Sequence, residues 1–317
     1  MKKYLFKVVA LLSFAKLLLF YRLKNLNLFE QYFNQTDNNV SPFFIVGSGR
    51  SGNTLLRVIL NNHNKISIPP ESYFLQSVIR VYIDAVLSKK PWEAIVELCI
   101  EDIKTHKEFH TWNIDLNALS SELLGSPNQS LQGIIDGVFR SYIKKHDEEA
   151  TIWGDKTPMN IFYVHWLIKL FPNAKFINIY RDGRDVVNSY VKSGLIPNLK
   201  DACFRWNVSV DCASQWEQKF PNNFFSIRYE DLVKNQVATI SKVCEFLNLE
   251  FDDSIFDYLG KPSELGDVDL YKHHTNVKKP VNMDSIGKWK TQLNKKEQDQ
   301  TNHWMKTNLK KLYYIDN

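Results

Sequence analysis

Cysteine pairs, metal-ligand spacings, blocks of like charge and internal repeats are all missing from this chain of 317 residues. The four cysteines, Cys99, Cys203, Cys212 and Cys244, form no CxxC and have no histidine at ligand spacing, which excludes a zinc framework or a disulfide scaffold. Free buried thiols are expected instead. The formal net charge of +5 is spread along the chain, so a nucleic-acid footprint is not indicated and a small anionic ligand suits the balance. Long uncharged runs are also lacking. Tyr4 to Tyr21 is apolar, yet Lys7 and Lys16 interrupt it and its longest uncharged run is Val8 to Ala15, whereas a spanning helix wants about 20 largely uncharged residues. No small-residue cleavage site follows. Residues 1–24 therefore read either as a helix in contact with a membrane or as an amphipathic helix packed on the domain, and the chain correspondingly as membrane-associated or cytoplasmic. The N-x-[ST] matches at Asn34, Asn128 and Asn207 are what an Asn-rich chain yields by chance.

What is present is enough apolar matter for one large core: 44% of residues are hydrophobic and 13% aromatic. A polar, Asn-rich linker at 25–40 leads into a domain expected at 41–317. Apolar runs at Phe43–Val46, Ile66–Ile68, Thr151–Trp153, Lys175–Tyr180 and Phe224–Arg228 alternate with helical periodicity. That rhythm predicts an α/β fold with three layers, a central parallel sheet between helices. Between Ser72 and Lys145 only helical spacing occurs, broken at Pro91, near Asp115 and at Ser126-Pro127, which reads as a helical insertion of three or four helices. Further helices are expected over 160–171, 186–192, 199–220 and 232–247. Gly260 to Met283 reads as a long loop.

The densest signal is Pro42 to Leu56, PFFIVGSGRSGNTLL. An apolar strand runs into Gly47-Ser48-Gly49-Arg50-Ser51-Gly52-Asn53-Thr54 and then into a helix. Glycines let several backbone N–H groups face one anion, and a helix start adds unsatisfied donors and the positive end of its dipole. The spacing is that of a Walker A loop, except that Asn53 stands where the lysine belongs. The cation is Arg50, whose planar fork suits an oxyanion. A second constellation, Arg181-Asp-Gly-Arg-Asp-Val-Val-Asn-Ser189, places an arginine at a strand end and a hydroxyl about two turns into the next helix. It makes an anion site, or more plainly a helix cap by Asp182 with a surface ion pair.

Taken together, the two stretches resemble the sulfotransferase superfamily, whose members use 3′-phosphoadenosine 5′-phosphosulfate (PAPS). The resemblance extends through Trp153 to Pro158 (WGDKTP), FPNAKFINIYRDGRDVVNSY, the RYEDL run at Arg228 to Leu232, and Gly287-Lys288-Trp289. The Arg50 version looks closest to the tyrosylprotein and bacterial branches. It implies a P-loop NTPase-like fold and sulfuryl transfer from PAPS to a hydroxyl of a carbohydrate, lipid or tyrosyl acceptor. Gly49, Arg50, Ser51, Gly52, Asn53, Thr54 and Leu55 would hold the 5′-phosphosulfate, Arg181 and Ser189 the 3′-phosphate, and Lys288 would reach a phosphate. Glu71 would be the base, Lys156 and Arg50 would meet charge on the transferring group, and no metal is needed. Plainer alternatives stand beside three of these: a solvated or helix-capping Glu71, a surface ion pair of Lys156 with Asp155, and a surface Lys288 beside a core Trp289. The tyrosylprotein branch tends to place Ser where Gly287 stands, so a hydroxyl contact there would have to come from Ser285. His63 reads as a helix-end cap, and His273-His274 has no metal-ligand spacing. The rival readings are a P-loop kinase with Asp155 on magnesium, and a non-catalytic nucleotide-binding scaffold. Acceptor choice would belong to the insertion and to the loop at 260–283.

Overall fold

A computed structural model describes residues 39–257 and 282–316. The helix expected at 1–24, nearly all of the linker, and the loop across 258–281 lie outside the described residues, as does His273-His274.

Among the described residues five parallel strands make the sheet: β1 (Phe43–Gly47), β2 (Ile66–Ser67), β3 (Ile152–Lys156), β4 (Lys175–Tyr180) and β5 (Phe224–Arg228), in the spatial order β2-β3-β1-β4-β5. A parallel strand covered on both faces must be apolar throughout, and β1 is wholly buried. Its alternate residues feed two layers. Phe44 and Val46 join Trp153, Phe176 and Phe224 in one core, while Phe43 and Ile45 join Ile177, Ile179 and Ile227 in the other. In the first core Phe44, Phe176 and Phe224 form a ladder across three adjacent strands, with centroids 5.2 and 5.1 Å apart.

Helix α1 (Asn53–Leu60) follows the glycine loop and packs in the second core with α9 (Tyr229–Lys234) and α10 (Gln236–Leu247). The insertion is four helices, α2 (Leu75–Leu87), α3 (Trp92–Lys104), α4 (Leu116–Gly125) and α5 (Leu131–His146). Its breaks fall where the sequence places them: Pro91 precedes α3, Asp115 caps α4 by accepting from Asn117 and Ala118, and Ser130 caps α5 by accepting from Gly133. Phe139 of α5 stacks on Trp153 of β3 at 4.0 Å, which ties the insertion to the sheet.

On the insertion's side of the sheet lie α6 (Val164–Leu170), α7 (Gly183–Lys192) and α8 (Leu199–Lys219), and α11 (Lys295–Lys311) packs with α7 and α8. Two expected helices are divided. Residues 160–171 hold a 3₁₀ turn, Pro158–Phe162, and then the shorter α6, because Pro158 starts the turn early and Tyr163 leaves helical geometry. Residues 232–247 belong to α9 and α10, separated by Asn235 in a non-helical conformation. All four cysteines are buried and free, and burial pushes the Cys99 and Cys203 thiols up to about 12.

A Cβ on Gly154 of β3 would lie 2.4 Å from the Phe43 ring. Gly154→Ala is expected to lower the denaturant-unfolding free energy by about 1–3 kcal/mol. An unchanged midpoint would mean that the ring swings clear.

Candidate active site

The loop after β1 is shaped by close approaches. Gly47 has φ 133°, and a Cβ there would meet the Ile179 carbonyl oxygen at 2.6 Å. Gly52, with φ 100°, caps α1 beneath the Tyr229 ring, where a Cβ would sit 2.4 Å from the ring edge. Gly49 lies under the Tyr190 hydroxyl of α7. Arg50 adopts φ 68° without being glycine. Among the described residues no side chain caps α1, so its first N–H groups remain available to an anion.

The loop residues divide by role. Asn53 is buried and donates from Nδ2 to the Ser48 carbonyl at 2.9 Å, so it braces the loop from within; its Oδ1 and the Ser51 hydroxyl are buried without a partner among the described residues. Leu55 is packed in the core, leaving only its backbone to face a ligand, and Thr54 is half-buried.

Arg50 turns toward α7, and its Nε donates to Ser189 Oγ at 3.0 Å. Arg181, at the end of β4, donates to the Arg50 carbonyl at 3.2 Å and to the Ser285 carbonyl, lies 4.7 Å over the Tyr229 ring, and stands 3.8 Å from Asp185 Oδ2. Burial lowers the Arg50 pKa from its ordinary value; Tyr190 opposes this and Arg181 adds to it. The plainer reading of this stretch is half right. Asp182 does cap α7, accepting from the Arg184 N–H, but its 2.8 Å ion pair with Arg184 is buried and roofed by Trp289, not exposed on the surface. Lys288 is exposed on the segment docked beside Arg181. The Ser285 contact in this structure is made by its carbonyl.

Across β1 from Arg181, at the same carboxyl edge of the sheet, Lys156 Nζ donates to Glu71 Oε1 at 2.5 Å, with the lysine fully buried and the glutamate side chain 13% exposed. Register explains the pairing. Ser67 of β2 lies beside Trp153 of β3, so the two chains leave the sheet together, Glu71 four residues on and Lys156 three. A capping Glu71 is overturned, because α2 starts only at Leu75. A surface pair of Lys156 with Asp155 is overturned as well. Asp155 is fully buried and holds Thr157 Oγ1 at 3.0 Å and Asn160 Nδ2 at 2.6 Å, while Thr157 Oγ1 accepts the Ser72 N–H at 3.0 Å. The side chain that the kinase reading would put on magnesium is thus committed to the turn carrying Glu71.

His63 follows the helix end without capping it: the C-cap of α1 is Asn61, and the imidazole accepts from the Lys65 N–H, with Nε2 3.1 Å from the Glu250 carbonyl. Three participants were not singled out from sequence: Tyr229 under Arg181, Asp185, and Glu230, whose Oε1 accepts the Asp182 N–H and whose Oε2 accepts the Tyr314 hydroxyl. The RYEDL run contains two of them, but nothing in its spacing reveals their partners. A separate cavity of about 270 Å³, bordered by Ser48, Asn178, Tyr180, Trp206 and Ser226, includes neither Glu71, Lys156, Arg50 nor Ser189.

A model described as "Sulfotransferase family" matches residues 42–253. Protein-tyrosine sulfotransferase A of Caenorhabditis elegans is 26% identical over 263 residues, covering 80% of this chain and 62% of the relative. Protein-tyrosine sulfotransferase 2 of Gallus gallus is 25% identical over 256 residues, covering 78% and 62%. The chain therefore spans less than two thirds of the length of these curated relatives. Among solved structures, the sulfotransferase domain from the Synechococcus PCC 7002 olefin synthase matches with a TM-score of 0.60 at 22% identity, over 89% of this chain and 98% of that one. The sulfotransferase domain from the curacin biosynthetic pathway matches at 0.55 and 23%, over 84% and 98%. Both likenesses show the expected α/β fold.

Burial pushes the Asp155 carboxyl up to about 6; Ser72, Thr157 and Lys156 oppose the shift, and Glu71 adds to it. A folded value above the unfolded one means that the folded chain holds the extra proton. The contribution of Asp155 to stability is then full below the unfolded value of about 4 and is lost as pH rises through about 6. In denaturant titrations from about pH 4 to about pH 7, the stability of the unaltered chain should fall relative to Asp155→Asn. A difference that stays flat with pH would mean an ordinary carboxylate.

Proposed function

Because the chain belongs to the sulfotransferase family, we propose that it moves a sulfuryl group from PAPS to a hydroxyl acceptor, with residues 41–317 as one catalytic unit. The observation that carries this is the bond from Arg50 Nε to Ser189 Oγ, with Arg181 on the Arg50 carbonyl. It makes the glycine loop and the β4–α7 turn one continuous anion site, which fits a ligand bearing two separated phosphates. The residues suit such a ligand: the Ser51 hydroxyl and Arg181 Nε are buried without partners among the described residues, and close contacts force the loop to be glycine-rich.

In this reading the backbone N–H groups of Gly49 to Leu55, with Arg50, Ser51 and Thr54, hold the 5′ end. Arg181 and Ser189 hold the 3′-phosphate, with Lys288 alongside. Asn53 acts by bracing the loop. When bound, PAPS supplies the activated sulfuryl group. Glu71 keeps Oε1 on Lys156 and takes the acceptor's hydroxyl proton on Oε2. The fully buried Lys156 Nζ and the half-buried Arg50 guanidinium stabilise the negative charge that develops between them. A tyrosyl hydroxyl is the favoured acceptor. The relatives carry protein-tyrosine sulfotransferase names, and a phenol of pKa about 10 yields its proton to a carboxylate more readily than an aliphatic hydroxyl does. The kinase reading loses its magnesium ligand to Thr157 and Asn160 and its lysine to Asn53. The scaffold reading leaves the Glu71–Lys156 pair without a purpose.

Calorimetry with 3′,5′-adenosine bisphosphate, AMP, and ATP with magnesium tests the ligand. Tight binding of ATP with magnesium and none of the bisphosphate would sink the proposal. Arg181→Ala should weaken bisphosphate binding about 10-fold or more, the worth of a charged hydrogen bond, and AMP binding far less; equal losses would remove Arg181 from the 3′ site. With labelled donor and a tyrosyl peptide, Glu71→Gln should keep donor binding and lose about 10²–10⁴-fold in turnover. Undiminished turnover would require another base.

A further inference from the structure

One turn of α7 grips a segment from the far end of the chain. Asp185 Oδ2 accepts the Gly287 N–H at 2.7 Å, and Oδ1 accepts the Trp289 N–H at 3.0 Å. The Arg184 guanidinium lies 4.0 Å over the Trp289 ring. Asn188 Nδ2 donates to Gln292 Oε1 at 2.7 Å, and Arg181 donates to the Ser285 carbonyl. Two carboxylate oxygens on two backbone donors fix Gly287 to Trp289 in place, and Gly287 adopts φ 74° to present its N–H there. Asp185 itself is 1% exposed. Ser189 follows one helical turn after Asp185 on the same face and carries the bond to Arg50. The latch and the anion site therefore share a single turn of helix.

We propose that Asp185 is a positioning residue that docks Ser285–Trp289 against Arg181, so that the 3′-phosphate is bound tightly only while this segment is latched. The inference rests on the nucleotide reading above and deepens it, since Asp185 is assigned no contact with donor or acceptor. Electrostatics alone makes the opposite forecast. A carboxylate 3.8 Å from Arg181 repels an incoming phosphate, so removing its charge would strengthen anion binding. A latch whose loss lets Arg181 drift weakens it. The sign of the effect separates the two.

The test is calorimetry with 3′,5′-adenosine bisphosphate and AMP on Asp185→Asn and Gly287→Ala. The first removes the charge and one acceptor. The second strains the same segment while leaving the carboxylate in place. Both should weaken bisphosphate binding about 10-fold or more and AMP binding by less than about 3-fold. Amide exchange at Gly287 and Trp289 should accelerate in Asp185→Asn while β1 and β4 amides stay protected, which controls for folding. Tighter or unchanged bisphosphate binding in Asp185→Asn overturns the inference, as do equal losses for the two ligands or unaltered exchange at Gly287 and Trp289. An unaltered chain that binds no bisphosphate overturns the nucleotide reading and this inference with it. An unaltered chain that binds while Asp185→Asn matches it overturns this inference alone.

Discussion

A guanidinium buried at the end of a strand has to be answered by its surroundings, because a charge withdrawn from water costs several kcal/mol unless it is paired and hydrogen-bonded. Arg181 is such a group. Its answers come from the glycine loop through the Arg50 carbonyl, from α7 through Asp185, from the Tyr229 face after β5, and from Ser285 near the C-terminal end. Pieces of chain far apart in sequence are thereby fixed relative to one another. The demand also reaches residues that never touch the guanidinium. Gly52 must lack a side chain because the Tyr229 ring occupies that space, and Gly183 because the Trp206 ring lies 2.7 Å from where a Cβ would be. Trp206 in turn donates to the Arg181 carbonyl at 3.3 Å.

Lys156, another buried cation, is answered differently. Successive side chains on a strand point to opposite faces, so Asp155 cannot serve its neighbour. Asp155 turns to Thr157 and Asn160, and Thr157 holds the Ser72 backbone. The same strand end therefore supplies a cation for the site and, one residue away, a carboxylate that sets the turn carrying Glu71. The two groups are held differently: Glu71 and Lys156 meet beside the turn that Asp155 and Thr157 brace, whereas Arg181 also meets the Ser285 carbonyl of a segment distant in sequence.

Much of this was legible in the sequence because parallel strands and glycine loops leave local marks. Phe43 to Val46 is apolar throughout since both of its faces are covered, and the insertion's breaks carry their own caps in Asp115 and Ser130. Helix spacing alone lets Arg181 and Ser189 face the same edge of the sheet, where each meets Arg50. What escaped was whatever depended on a partner distant in sequence. Lys156 and Asp155 look like an ion pair on paper, and only the β2–β3 register shows that the lysine belongs to Glu71. Asp182 and Arg184 look like a surface pair until Trp289, more than a hundred residues later, covers them. Asp185 and Glu230 satisfy backbone N–H groups on other elements, a role with no signature in spacing.

Asn53 brings the physical logic of the loop into focus. At this position a Walker lysine would project a cation up from the helix start toward a chain of phosphates stacked over one loop. Here the side chain points inward to the Ser48 carbonyl and stiffens the loop instead. The loop's positive charge is displaced to Arg50, whose left-handed backbone sends the guanidinium sideways to Ser189 on α7. Charge that would be concentrated over β1 is spread across the ends of β1 and β4, with Arg181 as its far member. A triphosphate gathers its charge into a compact cluster and would leave that far arginine unused, whereas a nucleotide with phosphates at opposite corners of its ribose matches the spread. The displacement of one cation by three residues, from position 53 to position 50, thus argues for a different class of ligand on an otherwise familiar strand, loop and helix.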